Sequence, residues 1–207
     1  MKRAFNMIKN VIFDMGGVLI DYDPEKTLYS IFDRETADAA LREIFRNKLW
    51  SAKDRGDVFP EDIMRIAGDK IPADSYDKIK EMVFNYYPYM PPFENMYPLV
   101  LSLKRNGYGV YLLSNASGDF YERKSGIPAL ALFDGYLISA DYHLLKPEPE
   151  IYEKLFTKFG LNREECVFID DSPENVRGSE NAGMKAVCHK GGAEGLAEKL
   201  RAAGVKI

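Results

Sequence analysis

Short apolar runs punctuate this chain, and polar residues break each of them. The first, 10–13, is followed by Asp14 and then by Met15, Gly16 and Gly17. Similar runs cover 110–113, 136–138 and 167–169, with a weaker one at 186–188. Unbroken apolar runs of this length predict strands covered on both faces, as in a parallel sheet. Between them the period changes: Ile151, Leu155 and Phe159, with Tyr152 and Phe156, make one helical stripe opened by Pro149 and closed by Gly160. Strand and helix alternate after residue 100, which predicts a mostly parallel sheet wrapped by helices. The stretch 24–92 differs, because helical periodicity runs through it without a comparable strand. Leu41, Ile44, Phe45 and Leu49 share one face there, as do Tyr76, Ile79, Val83 and Tyr86. Asp23 and Pro24 supply an N-cap and first-turn signal, and Pro88, Pro91 and Pro92 mark the return. The expectation is an α/β protein with an all-helical insertion at 24–92.

Composition narrows the class. With 207 residues, 46% hydrophobic and 29% charged, the chain can bury a full core. A net charge of −4 without a lysine or arginine block argues against a nucleic-acid surface. The start, MKRAFNMIKN, is basic, but Asp14 cuts the following apolar stretch too soon for a signal peptide, and no run reaches membrane-spanning length. Cys166 and Cys188 both lie in apolar stretches, so both are expected to be reduced core thiols of a cytoplasmic protein. His143 and His189 are far apart, which disfavours a histidine metal site. Oligomeric state is not legible, and neither repeats nor low-complexity tracts occur.

The chemistry concentrates where the runs end. Ligands of open α/β sheets gather outside the carboxyl ends of the strands, where Asp14, Ser114 with Asn115, and Asp170 with Asp171 would stand. Taken singly, Asp14 before two glycines is also an ordinary turn residue, and Ser114 an ordinary hydroxyl at a strand end. Ser172 and Pro173 read as an N-cap and first helical residue. That capping role does not account for two adjacent carboxylates. Beside a third from another strand they would repel strongly unless a cation or proton compensates, and Mg²⁺, which takes carboxylate oxygens and keeps water for a phosphate to displace, suits the task. Lys146, in LLKPEP, precedes a proline that favours extended backbone, so its ammonium can project toward the strand ends.

Asp14 in FDMGG, Ser114 in LLSN, Lys146 in LKPEP, and Asp170 and Asp171 in FIDDSPEN together resemble the four ordered motifs of the haloacid dehalogenase (HAD) superfamily. The resemblance covers nearly the whole chain. It implies a Rossmann-like core from 1–23 and 93–207, with the first strand central and flanked by those ending in Ser114 and Asp170, and it makes 24–92 a mobile helical cap. It also implies an Mg²⁺-dependent phosphatase of a small soluble phosphate such as a sugar phosphate. In that scheme Asp14 attacks phosphorus and forms an aspartyl-phosphate that water hydrolyses. Ser114 and the backbone N–H of Asn115 hold phosphoryl oxygens, and Lys146 offsets charge on phosphate and Asp14. Asp14, the carbonyl of Gly16 and Asp171 hold the metal, with Asp170 a direct or water-mediated ligand and Asn175 in support. Screening of this kind is what lets a carboxylate attack an anion.

Gly16 departs from the pattern, since phosphatases of the superfamily usually place there an Asp that protonates the leaving alcohol. Three explanations stand: leaving groups needing little protonation, another donor, or weak activity. Members with a similar DLG or DMG start, a glucose-1-phosphate phosphatase among them, retain the phosphatase assignment. A 2-haloacid dehalogenase also uses an aspartyl ester and lacks that Asp, but its fourth motif normally lacks the adjacent acids. A non-catalytic phospho-aspartyl signalling module combines similar residues in another order and in a shorter chain, and Gly16 also leaves room for an inactive interaction protein. Asp21, Tyr22, Trp50, Arg55 and Tyr89 are candidates for the cleft wall.

Overall fold

The computed structural model describes residues 7–207; residues 1–6, assigned above to the core, lie outside the described residues. Five strands, β1 (Asn10–Phe13), β2 (Gly109–Ser114), β3 (Gly135–Ile138), β4 (Cys166–Asp170) and β5 (Lys185–Cys188), form one sheet in the order β3-β2-β1-β4-β5. Every pairing is parallel, with Val11 opposite Val110 and Val167. The central strand and both its neighbours are as expected. The chain moves outward from β1 through β2 to β3 and then returns to β4 on the other side. The crevice thus opens beyond the carboxyl end of β1, where the direction of winding switches.

Alternate residues of the strands enter two separate apolar layers. Val11, Phe13, Val110, Leu112, Val167 and Ile169 face one; Ile12, Leu113, Leu137 and Phe168 face the other. This two-sided burial is why the runs read as continuous rather than alternating. At about 1.5–3 kcal/mol for each fully buried large aliphatic or aromatic side chain, it is the main stabilising contribution.

The helices are α1 (Pro24–Ile31), α2 (Arg34–Ala40), α3 (Lys48–Arg55), α4 (Pro60–Ala67), α5 (Tyr76–Phe84), α6 (Met96–Arg105), α7 (Phe120–Arg123), α8 (Pro149–Phe159), α9 (Pro173–Asn181) and α10 (Leu196–Ala202). Helix α6 through Val100 and Leu103, and α10 through Leu196 and Leu200, cover the first face. Helix α8 covers the second through Ile151, Tyr152 and Leu155, and begins and ends where Pro149 and Gly160 predict. Asp23 caps α1 by accepting from Lys26 N at 3.0 Å.

Between residues 24 and 92 the described elements are helical. Leu41, Ile44, Phe45 and Leu49 pack on one core as expected, the first three buried and Leu49 partly buried. A π-helical turn at Leu41–Phe45 and a fresh start capped by Asn47 shift the register, so Trp50 takes the inner position. The cysteine expectation needs correction. Cys166 is buried, whereas Cys188 is exposed, because it ends the edge strand β5.

Candidate functional site

Asp14, directly after β1, and Asp170, the last residue of β4, converge on one ammonium. Lys146 Nζ lies 2.7 Å from Asp14 Oδ1 and 2.7 Å from Asp170 Oδ2, and it donates to Leu113 O at 3.0 Å. Asn115 fixes the lysine's backbone from the end of β2. Lys146 N donates to Asn115 Oδ1 at 2.8 Å, and Asn115 Nδ2 donates to Lys146 O at 3.0 Å. That side chain is therefore committed to the lysine. Ser114 is buried and lines the same cavity as Asp14 and Lys146.

The two adjacent acids divide the work. Asp170 is fully buried, and protein donors hold both its oxygens: Ser172 N at 2.8 Å and Asn175 Nδ2 at 3.0 Å on Oδ1, and Lys146 Nζ with Asn175 Nδ2 at 3.2 Å on Oδ2. Asp171 faces the cavity. One oxygen each from Asp14, Asp170 and Asp171 lie within 4.8 Å of one another. Burial, with Asp170 adding repulsion against the pull of Lys146, raises the pKa of Asp14 above the usual carboxylate value. Burial and then Asp170 likewise raise Asp171. Burial opposes the charge on Lys146, but the two carboxylates outweigh it and hold its pKa above the ordinary lysine value. Gly17 makes the close approach possible. Its φ is +69°, and a Cβ there would lie 2.5 Å from Asp171 Oδ2.

The cluster lines a cavity of about 210 Å³ whose other walls come from the helical stretch and from the loops after β1 and β2. Tyr22 and Trp50 line it, as expected. Asp21, Arg55 and Tyr89 do not: Asp21 pairs with Lys26, Arg55 turns to Glu148 on the far side, and Tyr89 packs on Tyr86. Trp50 is also core, tilted against Phe45 and edge-on to Tyr86. Lys53, Asp54, Tyr86, Tyr87 and Asp119 also line the cavity, and the sequence did not mark them as site residues. A lysine and an aspartate near a helix end ordinarily face solvent, and Tyr86 fits a packing stripe. Nothing in their local pattern distinguishes them. Lys53 is buried, donates to Ser117 Oγ at 2.7 Å and lies 4.9 Å from the Trp50 ring centre.

Comparison with known proteins matches residues 8–183 to the family of haloacid dehalogenase-like hydrolases. A sesquiterpene phosphatase of Aspergillus oryzae is 30% identical over 85% of this chain and 87% of its own length. A D-ribitol-5-phosphate phosphatase of Bacteroides thetaiotaomicron is 25% identical over 91% of this chain and 95% of its own. Among solved structures, a HAD-family enzyme of Bacteroides thetaiotaomicron in a magnesium complex superposes with a TM-score of 0.61 at 25% identity, covering 89% of this chain and 94% of that one. A dehalogenase superposes with a TM-score of 0.72 at 17% identity, covering 97% of this chain and 98% of that one, and shows the shared fold.

Proposed function

The chain belongs to the haloacid dehalogenase-like hydrolases and is a phosphatase-like hydrolase, and from that premise we propose that it is an Mg²⁺-dependent phosphomonoesterase working through an aspartyl-phosphate on Asp14. The observation that carries this is the buried Lys146 ammonium held 2.7 Å from both Asp14 and Asp170, with Asp171 beside them at the cavity. One ammonium cannot neutralise three carboxylates and an incoming phosphate, so the donor set fits a hard divalent cation. Asp14, the carbonyl of Gly16 and Asp171 would hold it. Asp170, whose oxygens the protein already occupies, would act on it indirectly. When bound, Mg²⁺ supplies charge neutralisation of the phosphoryl oxygens.

The protein's own groups account for the rest. Lys146 holds one oxygen of Asp14 and keeps that carboxylate oriented. The Asp14 carboxylate forms the new bond to phosphorus as the bond to the leaving oxygen breaks, and water later returns the carboxylate to its free state. Ser114 and the backbone N–H of Asn115 receive phosphoryl oxygens at the end of β2, and the side chain of Asn115 keeps Lys146 in register. The stretch 24–92 is the cap that encloses the leaving group and excludes water. A dehalogenase would not need this acid pair.

The substrate is a small organic phosphate. Sugar and polyol phosphates are one class that such a cavity admits, and a relative is named for ribitol-5-phosphate. The aromatic walls of Tyr22, Trp50, Tyr86 and Tyr87 support a second class, phosphates of more apolar alcohols, in keeping with the relative named for a sesquiterpene. The test is Asp14→Asn, which keeps the shape and loses the nucleophile. Turnover of an aryl phosphate with Mg²⁺ should vanish while the circular dichroism stays native, and acid-quenched wild-type enzyme should carry phosphate on Asp14. A folded variant that retains substantial turnover would refute the assignment.

A further inference from the structure

Position 16 carries no acid, and the helical stretch brings one into the same cavity. A Cβ on Gly16 would lie 3.5 Å from Tyr22 Cβ and 3.6 Å from Tyr22 Cδ1, so the Tyr22 ring borders the space a side chain would take. Asp54, at the end of α3, also lines the cavity with Asp14 and Gly16. Its neighbours pin it to the core. Lys53 donates to Ser117, the carbonyl of Asp54 accepts from Ser139 Oγ, and Arg55 forms an ion pair with Glu148 and donates to His143 O at 3.0 Å. Gly56, at φ +83°, lies so close to the turn after β3 that a Cβ would meet Ala140 O at 2.8 Å. Four successive residues thus fix this helix end across the cleft. Among the described residues the Asp54 carboxylate accepts no hydrogen bond, which leaves its oxygens free for a ligand.

Resting on the phosphatase reading, we propose that Asp54 is the proton donor to the leaving oxygen and the base for the attacking water, replacing a side chain at position 16. In the first step the Asp14–phosphorus bond forms and the bond to the leaving oxygen breaks. The electron pair stays on that oxygen, which takes the proton of Asp54. In the second step water attacks phosphorus and gives a proton to Asp54, while the pair of the breaking bond returns to Asp14. The titration suits both roles. Burial, with Asp119 adding to it and Lys53 opposing it, raises Asp54 to about 7, so both forms are populated near neutrality. Tyr22 and Tyr87 face it from the loop after β1 and the turn before residue 90, and both remain neutral there because burial, with Asp54 and other nearby acids, raises their own pKa values.

The experiment measures single-turnover phosphoryl transfer from a series of aryl and alkyl phosphates between pH 5.5 and 9, in wild type, Asp54→Asn and Asp14→Asn. For the wild type, rates should depend weakly on leaving-group basicity below pH 7 and steeply above it. Asp54→Asn should be steep throughout, losing about 10²- to 10⁴-fold on alkyl phosphates, the usual range for general acid catalysis, and little on a nitrophenyl phosphate. A wild-type dependence that is the same at pH 6 and pH 9 overturns the proposal without recourse to any variant. So does a folded Asp54→Asn that loses the same factor on every substrate. Turnover that survives Asp14→Asn would instead overturn the phosphatase reading beneath it, and the two failures are separate.

Discussion

Replacing Lys146 by methionine removes one charge and little volume, and it isolates the electrostatics of the site. The ammonium is almost fully buried, 2.7 Å from each of two carboxylates and 3.0 Å from a carbonyl oxygen. At an effective dielectric constant of about 20, each pair at that separation attracts by roughly 6 kcal/mol, most of it offsetting desolvation. What remains after the exchange is two buried acids without a cation, and breaking a buried pair from one side typically costs about 3–5 kcal/mol. The loss should depend on pH. Asp14 already has a folded pKa above its unfolded value, and removing the ammonium raises it further, so the folded state binds more protons than the unfolded one above pH 4. Stability of the variant therefore falls as pH rises toward the folded pKa; the deficit is smaller near pH 5 than near pH 8. Urea denaturation in chelator at both pH values measures it. Added Mg²⁺ should restore part of the loss at pH 8 by binding the native state alone. Turnover should drop at least about 10²-fold, the scale for losing one donor to a developing anion. A deficit under about 1 kcal/mol at pH 8, against the range expected for a broken buried pair, or one equal at both pH values, would refute the reasoning.

Asp171→Asn should raise the Mg²⁺ concentration needed for half-maximal turnover and lower the plateau, since one anionic oxygen facing the cavity is lost; an unchanged Mg²⁺ titration would place the cation elsewhere. Gly17→Ala should destabilise by about 1–3 kcal/mol in thermal melts, because the residue needs a left-handed backbone and its new methyl would press on Asp171; a shift smaller than that would mean the loop re-forms without strain.

The inner strands β1, β2 and β4 were legible because burial on both faces leaves an unbroken apolar run, whereas the edge strand β5 left only a weak one. Their end residues were legible as a set for the same reason: Asp14, Ser114 and Asp170 stand where each apolar run gives way to a polar side chain. Helix α8 was read from its stripe and its proline and glycine boundaries. The stretch 24–92 yielded its helices but not its contribution to the site. Leu49 packs against the same core as Leu41, Ile44 and Phe45 but stays partly exposed, because a π-helical turn changes the angle per residue, which period counting assumes constant. Lys53 and Asp54 were missed because a charged pair at a helix end looks the same whether it meets water or another part of the chain. Arg55 attracted notice in DRGD, yet it is the anchor beside the cavity and Asp54 is the residue inside it. Nor could spacing tell Asp170 from Asp171. The distinction rests on Asn175 and the N–H of Ser172, whose donors become available only when α9 begins directly after β4.

The arrangement as a whole is governed by excess negative charge. Three carboxylates meet Lys146 at the strand ends, with Lys190 pulling on Asp171 from outside, and elsewhere in the cavity Asp54 faces Lys53 and Asp119. A phosphate dianion entering such a cavity would be repelled unless the acids near it were neutralised in different ways. Asp170 is neutralised by hydrogen bonds and Lys146, which leaves it a fixed support. Asp14 and Asp171 keep oxygens toward the cavity, where the proposed divalent cation would neutralise them. Asp54 also lines the cavity, where burial and Asp119 favour its protonated form, so it adds less repulsion while the dianion enters. The same protonation that lets the substrate bind then supplies a proton where the leaving oxygen develops charge. An acid at position 16 would do this from the core. Here the helical stretch must be docked for the acid to be present, and Lys53, Arg55 and Gly56 are the contacts that dock it.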